Sequence, residues 1–113
     1  MSKKYIYKIC PLSYWKKAKQ KGIFKGSGID LRDNFIHFSS SYQVRETLNK
    51  HFKKYTKLCL IEIDKDKINI KWEKSRNGNL FPHLYGSFNT SLVNKVVRIK
   101  TDFNGNYILP SLH

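Results

Sequence analysis

His37 stands between Ile36 and Phe38 with Ser39 close behind, Glu73 follows Trp72, and His83 and Tyr85 flank Leu84 at the spacing that puts both on one side of an extended strand. These residue types carry chemistry. Imidazole exchanges protons near neutral pH, a carboxylate stabilises a developing cation, and hydroxyl groups orient a bound ligand. Each residue alone has an ordinary explanation, as a satisfied core or surface histidine or as a glutamate on a solvated face. As a set they are less ordinary, because each interrupts an apolar segment, where an unpaired polar group costs roughly 1 to 3 kcal/mol. Scattered interruptions would need separate hydrogen-bonding solutions, whereas one shared network satisfies them together. His37, Ser39, Glu73, His83 and Tyr85 are therefore expected to converge on one pocket, walled by the large apolar residues of Phe-Ile-His-Phe-Ser, Trp-Glu-Lys-Ser and Phe-Pro-His-Leu-Tyr-Gly. Two histidines and a carboxylate could hold Zn²⁺ with an open position, but no local His-Glu-x-x-His signature is present and no metal is expected.

The elements that must position these groups are legible from periodicity. Residues 4 to 10 alternate, with Tyr5, Tyr7 and Ile9 on one side and Ile6 and Lys8 on the other, and Pro11 ends the strand. Leu12, Trp15 and Ala18 share one face of a helix that Gly22 caps, which puts Trp15 on the core. Gly22, Gly26 and Gly28 punctuate a loop leading through Asp30 to Asp33 into a compact strand, Phe35 to Ser39. Ser40 to Gln43 has the form of a capping box, and Val44, Leu48 and Phe52 continue a second helix to about Lys54. Lys57 to Asp64 reads as a central strand buried on both faces. Ile68 to Lys74 alternates as a strand with Trp72 facing inward. Ser75-Arg76-Asn77-Gly78-Asn79 is a turn, and Pro82 excludes the segment around it from a central ladder position. Leu92 to Lys100 and Tyr107 to Leu109 form a hairpin around Asn104-Gly105. The order is strand, helix, strand, helix and then four or five strands, so the class is α+β: a small mixed, mostly antiparallel split sheet with two helices.

A chain of 113 residues and 13.4 kDa, 40% apolar and 14% aromatic, can bury one core, and a single domain spanning 1–113 is expected. No apolar run approaches the roughly 18 residues that cross a bilayer, and the start lacks the apolar stretch of a secretory signal, so the reading is cytoplasmic with no membrane partner. Cys10 and Cys59 each lie in an apolar strand-like run and read as buried, reduced thiols that could meet across adjacent strands. Lys and Arg outnumber Asp and Glu by 22 to 8, a net charge of +14 that favours polyanions through long-range attraction. Lysine supplies nearly all of it, with arginine only at Arg32, Arg45, Arg76 and Arg98 and alanine only at Ala18, the usage of an AT-rich genome. Drift and solvated faces therefore account for the charge better than a base-reading surface, and any nucleic-acid binding should be weak and nonspecific.

The ordered set Tyr5-Ile6-Tyr7-Lys8-Ile9, Trp15, Asp33-Asn34-Phe35-Ile36-His37-Phe38-Ser39, Gln43-Val44, Trp72-Glu73 and Phe81-Pro82-His83-Leu84-Tyr85-Gly86 resembles the bacterial family called domain of unknown function 952, from Tyr5 to about Pro110. Asn34 stands where the family pattern carries glycine, and asparagine also tolerates positive φ. The family's fold is similar to that of the ADP-ribosyltransferases, a split pair of small sheets around a cleft that holds NAD in the true transferases. The resemblance implies a small nucleotide as partner, with NAD as a substrate or ligand and no resident cofactor required. It implies catalytic roles for Glu73, beside the ribose, and for His37 and His83. It further implies cofactor contacts from Ser39 and Gln43, and a nicotinamide wall from Tyr85 or Trp15. The transferases' characteristic Arg, His and Tyr have no counterpart at their familiar places, so a pocket that binds a nucleotide without this chemistry fits the same residues. A basic nucleic-acid-binding module without catalysis is the alternative, and it would show affinity falling steeply with salt.

Overall fold

The computed structural model describes residues 4–75 and 77–112. Arg76 of the expected turn and the Met1–Lys3 start lie outside the described residues. Tyr5–Pro11 (β1), Leu12–Lys21 (α1), Ile23–Phe24 (β2), Ile29–Asp33 (α2) and Ile36–His37 (β3) form the first part of the chain. Val44–His51 (α3), Leu58–Asp64 (β4), Ile70–Lys74 (β5), Leu80–Leu84 (β6), Phe88–Asn89 (β7), Val93–Thr101 (β8) and Tyr107–Ile108 (β9) complete it. The strands make a sheet of order β1-β4-β8-β9, a β2-β7 ribbon and a sheet of order β3-β6-β5. Every strand pairing among the described residues is antiparallel, so the sheets are not mixed. The class is α+β, with one helix more than expected: α2, five residues long, carries Asp30 and Asp33. Among the described residues no helix is long and apolar enough to cross a membrane.

Strand β4 is the spine, paired with β1 on one side and β8 on the other and buried from Leu58 to Ile63. Its alternation feeds two cores. Cys59, Ile61 and Ile63 join Ile6, Cys10, Trp15, Ala18 and Phe24 on the α1 side, while Leu58 and Leu60 join Tyr7, Ile9, Val44 and Leu48 on the α3 side. Cys10 and Cys59 are directly opposed, with their sulfurs 3.8 Å apart; this contact, followed by burial, pushes the Cys10 thiol up from its ordinary range. Gly22 closes α1 at φ 80°, donating its N–H to the Ala18 carbonyl at 2.8 Å.

Three details depart from the periodicity argument. The Gln43 side-chain oxygen accepts from Ser40 N–H at 3.0 Å, but Gln43 N–H goes to the Ser40 carbonyl, so the cap opens a tight turn over Ser41–Gln43 and α3 ends at His51. Trp72 is 44% exposed although it shares a face with Ile70, which packs on the core: along the edge strand β5 that cover stops at Ile70, and Trp72 lines an open hollow with Tyr42 and Leu80, while the opposite face, with Lys71 and Glu73, meets His83 and Tyr85. Pro82 lies in a central strand after all. Its carbonyl accepts from Phe38 N–H at 2.9 Å, so its nitrogen, which carries no hydrogen, faces the β3 side where that strand has ended.

Candidate functional site

The antiparallel register of β3-β6-β5 sets His37 opposite His83, and His83 opposite Lys71, so three strands present these residues as one row on one face. Phe35 enters from just before β3. Asn34 makes this entry in the left-handed region, φ 64°, as the terminus of α2. The Phe35 ring lies 4.4 Å from the His37 ring, 4.3 Å from His83 and 5.1 Å from Tyr85, centroid to centroid, so it roofs the cluster. The two imidazoles are 5.3 Å apart, edge to face.

Each histidine has its own carboxylate. His37 Nδ1 lies 2.7 Å from Asp30 Oδ1, and its Nε2 lies 3.2 Å from Asp33 Oδ2, bonds that the ring makes together as a donor only when protonated. Asp30 is 2% exposed and heavily bonded: Lys8 Nζ sits 2.7 Å from Oδ2, Ser27 N–H donates to Oδ2 at 3.0 Å, and His37 N–H donates to Oδ1 at 3.0 Å. Burial works against the charge on Asp30, but His37, Lys8 and the Ser27 amide outweigh it and hold the carboxyl below the ordinary range. Lys8, also buried, places a second donor on the His37 carbonyl at 3.1 Å.

His83 Nδ1 lies 2.7 Å from Glu73 Oε1, and the Tyr85 hydroxyl donates to the same oxygen at 2.8 Å. His83 first, then Tyr85, hold the Glu73 carboxyl below its ordinary value, and Glu73 in turn raises the Tyr85 phenol. Glu73 Oε2 and His83 Nε2 take no hydrogen bond from any described residue. Among the described residues the one buried side-chain nitrogen or oxygen without a partner is Ser40 Oγ, so both of these atoms reach solvent.

The structure thus brings His37, Glu73, His83 and Tyr85 together and places the other three sequence candidates elsewhere. Ser39 is buried with its hydroxyl on Thr47 Oγ1 at 3.0 Å. The Gln43 side chain is occupied by Ser40 N–H and by the Leu80 carbonyl, to which it donates at 2.8 Å. It lines a second hollow of about 510 Å³ with Tyr42, Glu46, Trp72 and Leu80. Trp15 is 7% exposed within the α1 core and offers no wall to a ligand. Phe35 takes the wall position expected of the Phe-Ile-His-Phe-Ser segment, whereas sequence reasoning missed Lys8, Asp30 and Asp33 as members of the cluster. A signal for Lys8 was present, since it falls in phase with Ile6 and Cys10, which are buried. An open cavity of about 340 Å³ adjoins the roof, lined by Lys25, Asp30, Leu31, Asn34, Phe35, Gly86 and Ser87. Among the described residues no three His, Cys, Asp or Glu side chains converge as a metal ion would require.

Comparison with known proteins places this geometry in a wider setting. A family model described as "Protein of unknown function (DUF952)" matches residues 9–96, which include every member of the cluster except Lys8. The crystal structure of protein CC0527 from Caulobacter crescentus is similar at 38% identity with a TM-score of 0.86, over 93% of this chain and 94% of that one. The solution NMR structure of the same Caulobacter protein gives 39% identity and a TM-score of 0.80 over 89% of each chain. Among curated proteins, none matches the chain.

Proposed function

The chain belongs to the DUF952 family, and from that premise, together with the geometry of the histidine cluster, we propose that it binds NAD or a related nucleotide in a cleft of ADP-ribosyltransferase type. That cleft lies over the face of β3-β6-β5 carrying Phe35, His37, Glu73, His83 and Tyr85. The observation that supports this reading is the Glu73 carboxylate, held on Oε1 by His83 and Tyr85 while Oε2 faces solvent. A carboxylate so fixed and kept ionised suits a site where positive charge develops. When the glycosidic C–N bond of NAD breaks, the bonding pair leaves with nicotinamide and the charge spreads over C1′ and the ring oxygen of the ribose. Water or an acceptor hydroxyl then adds to C1′ and gives its proton to Oε2 of Glu73. Phe35 and Tyr85 supply flat faces for the departing ring.

The competing reading, a nucleic-acid-binding module without catalysis, draws on the net charge of +14. Ligand-observed NMR with NAD, ADP-ribose, nicotinamide and a short RNA at physiological salt separates the two. NAD or ADP-ribose should bind, and Glu73→Gln should abolish NAD cleavage while leaving binding and the unfolding midpoint nearly unchanged. Saturable RNA binding with no contact from NAD or ADP-ribose overturns the nucleotide reading, and unchanged turnover in Glu73→Gln overturns the role of the carboxylate.

A further inference from the structure

The row across the three-stranded sheet has one closed end and one open end. At the closed end, His37 has a carboxylate oxygen at each ring nitrogen. At the middle, His83, with a side chain 10% exposed, uses Nδ1 on Glu73 and leaves Nε2 without a hydrogen bond from any described residue. At the open end, Lys71 is exposed and makes no ion pair with any described carboxylate. Its ammonium sits 5.5 Å from the centroid of the Tyr85 ring, whose hydroxyl is bonded to Glu73. A ring nitrogen of an anchored imidazole and an ammonium with no ion pair among the described residues therefore occupy directly opposed positions on neighbouring strands, beside the aromatic roof.

We propose that His83 Nε2 and Lys71 Nζ form a phosphate subsite at the open edge of the cleft, so that the ligand is recognised by its phosphate group and not by its nucleoside alone. This inference rests on the nucleotide reading of the cleft and adds which part of the ligand is held where. As an imidazolium, His83 donates one N–H to Glu73 and the other to a phosphate oxygen, and the anchored Nδ1 fixes the direction of that second bond. Lys71 adds a compact charge from the neighbouring strand, the usual lysine role toward phosphate. A base or nicotinamide ring then falls against Phe35 or Tyr85, on the same face of the sheet.

The test is a titration of the full chain with inorganic pyrophosphate, AMP and adenosine at physiological salt. Binding is followed through the ring nitrogens of His83 in ¹⁵N NMR and through calorimetric affinity. AMP and pyrophosphate should shift His83 Nε2, and adenosine should not. Lys71→Met should weaken AMP about tenfold, the equivalent of one charge-assisted hydrogen bond, and leave adenosine unchanged. Lys16→Met, an exposed charge on α1, should change neither. If AMP and adenosine bind alike and His83 does not shift, the subsite is wrong while the cleft reading stands. If Lys16→Met costs as much as Lys71→Met, the attraction is diffuse charge and the subsite is again overturned. If pyrophosphate binds at His83 and Lys71 while adenosine, NAD and ADP-ribose leave Phe35 and Tyr85 untouched, the subsite holds and the nucleotide reading falls.

Discussion

The two histidine–carboxylate pairs are alike at first contact, each with Nδ1 2.7 Å from a carboxylate oxygen, and they differ in everything around that bond. Asp30 has a fully buried side chain, a buried lysine on its other oxygen and two backbone amides, and its histidine meets a second carboxylate. Glu73 has a side chain 38% exposed, shares one oxygen between His83 and Tyr85, and leaves the other to solvent, as His83 leaves Nε2. The first pair has spent its hydrogen-bonding capacity on ordering α2 and β3 against β1. The second retains capacity at two atoms, one acceptor and one ring nitrogen. The same chemical pair thus serves as an anchor where it is saturated and as a reactive group where it is not.

The sharpest way to break this comparison is to remove each carboxylate. Asp30→Ala leaves Lys8 buried at 4% exposure without its partner, and removing one member of a buried pair costs about 3 to 5 kcal/mol. Urea unfolding should show that loss, and should show Glu73→Gln with a midpoint close to the parent. A loss under about 1 kcal/mol for Asp30→Ala would mean that water or His37 compensates Lys8, and Asp30 would no longer be an anchor.

A second, smaller effect is in the acid limb of stability. The Asp30 carboxyl ionises below its unfolded value of about 4, so its contribution is complete above that value and is lost as pH falls through the lower folded value. Asp30→Asn should flatten the decline of unfolding free energy below about pH 4, while Glu73→Gln, at a solvated group, should flatten it far less. Equal flattening by both substitutions would erase the distinction between the pairs.

How much of this was legible follows the same division. The sequence places His83 and Tyr85 on one side of a strand and His37 and Glu73 each inside an apolar run, and β-alternation is enough to bring such residues to one face once the register is right. The core strand β4 and the buried face of α1, with Trp15 and Ala18, were readable for the same reason, since apolar periodicity reports burial directly. Asp30 and Asp33 were not, because they sit on a five-residue helix too short to show a period. Trp72 misled because alternation tells which residues share a face and not how far along the strand that face is covered: Ile70 packs on the core, while Trp72, two residues farther along the edge strand, is exposed. Pro82 misled because the rule against a central proline assumes a long partner strand, and β3 has ended before the missing donor is needed.

The smallest expected effect is at Tyr85, and it tests whether the open pair is tuned by its surroundings. Two donors share Glu73 Oε1, and His83 contributes more to lowering the carboxyl than Tyr85 does. Removing the phenol hydroxyl in Tyr85→Phe keeps the ring that stacks 5.1 Å from Phe35, so the roof should stay in place. What changes is one hydrogen bond to the ionised carboxylate, which favours the charged form. The Glu73 titration, followed by ¹³C NMR of its side-chain carboxyl, should therefore move up toward the ordinary range, and by less than in His83→Gln. The pH profile of any NAD cleavage should shift its acid edge upward by the same amount, because the free-enzyme carboxylate sets that edge. A Glu73 titration that does not move in Tyr85→Phe would mean that His83 alone holds the carboxylate, leaving Tyr85 as part of the aromatic wall and nothing more.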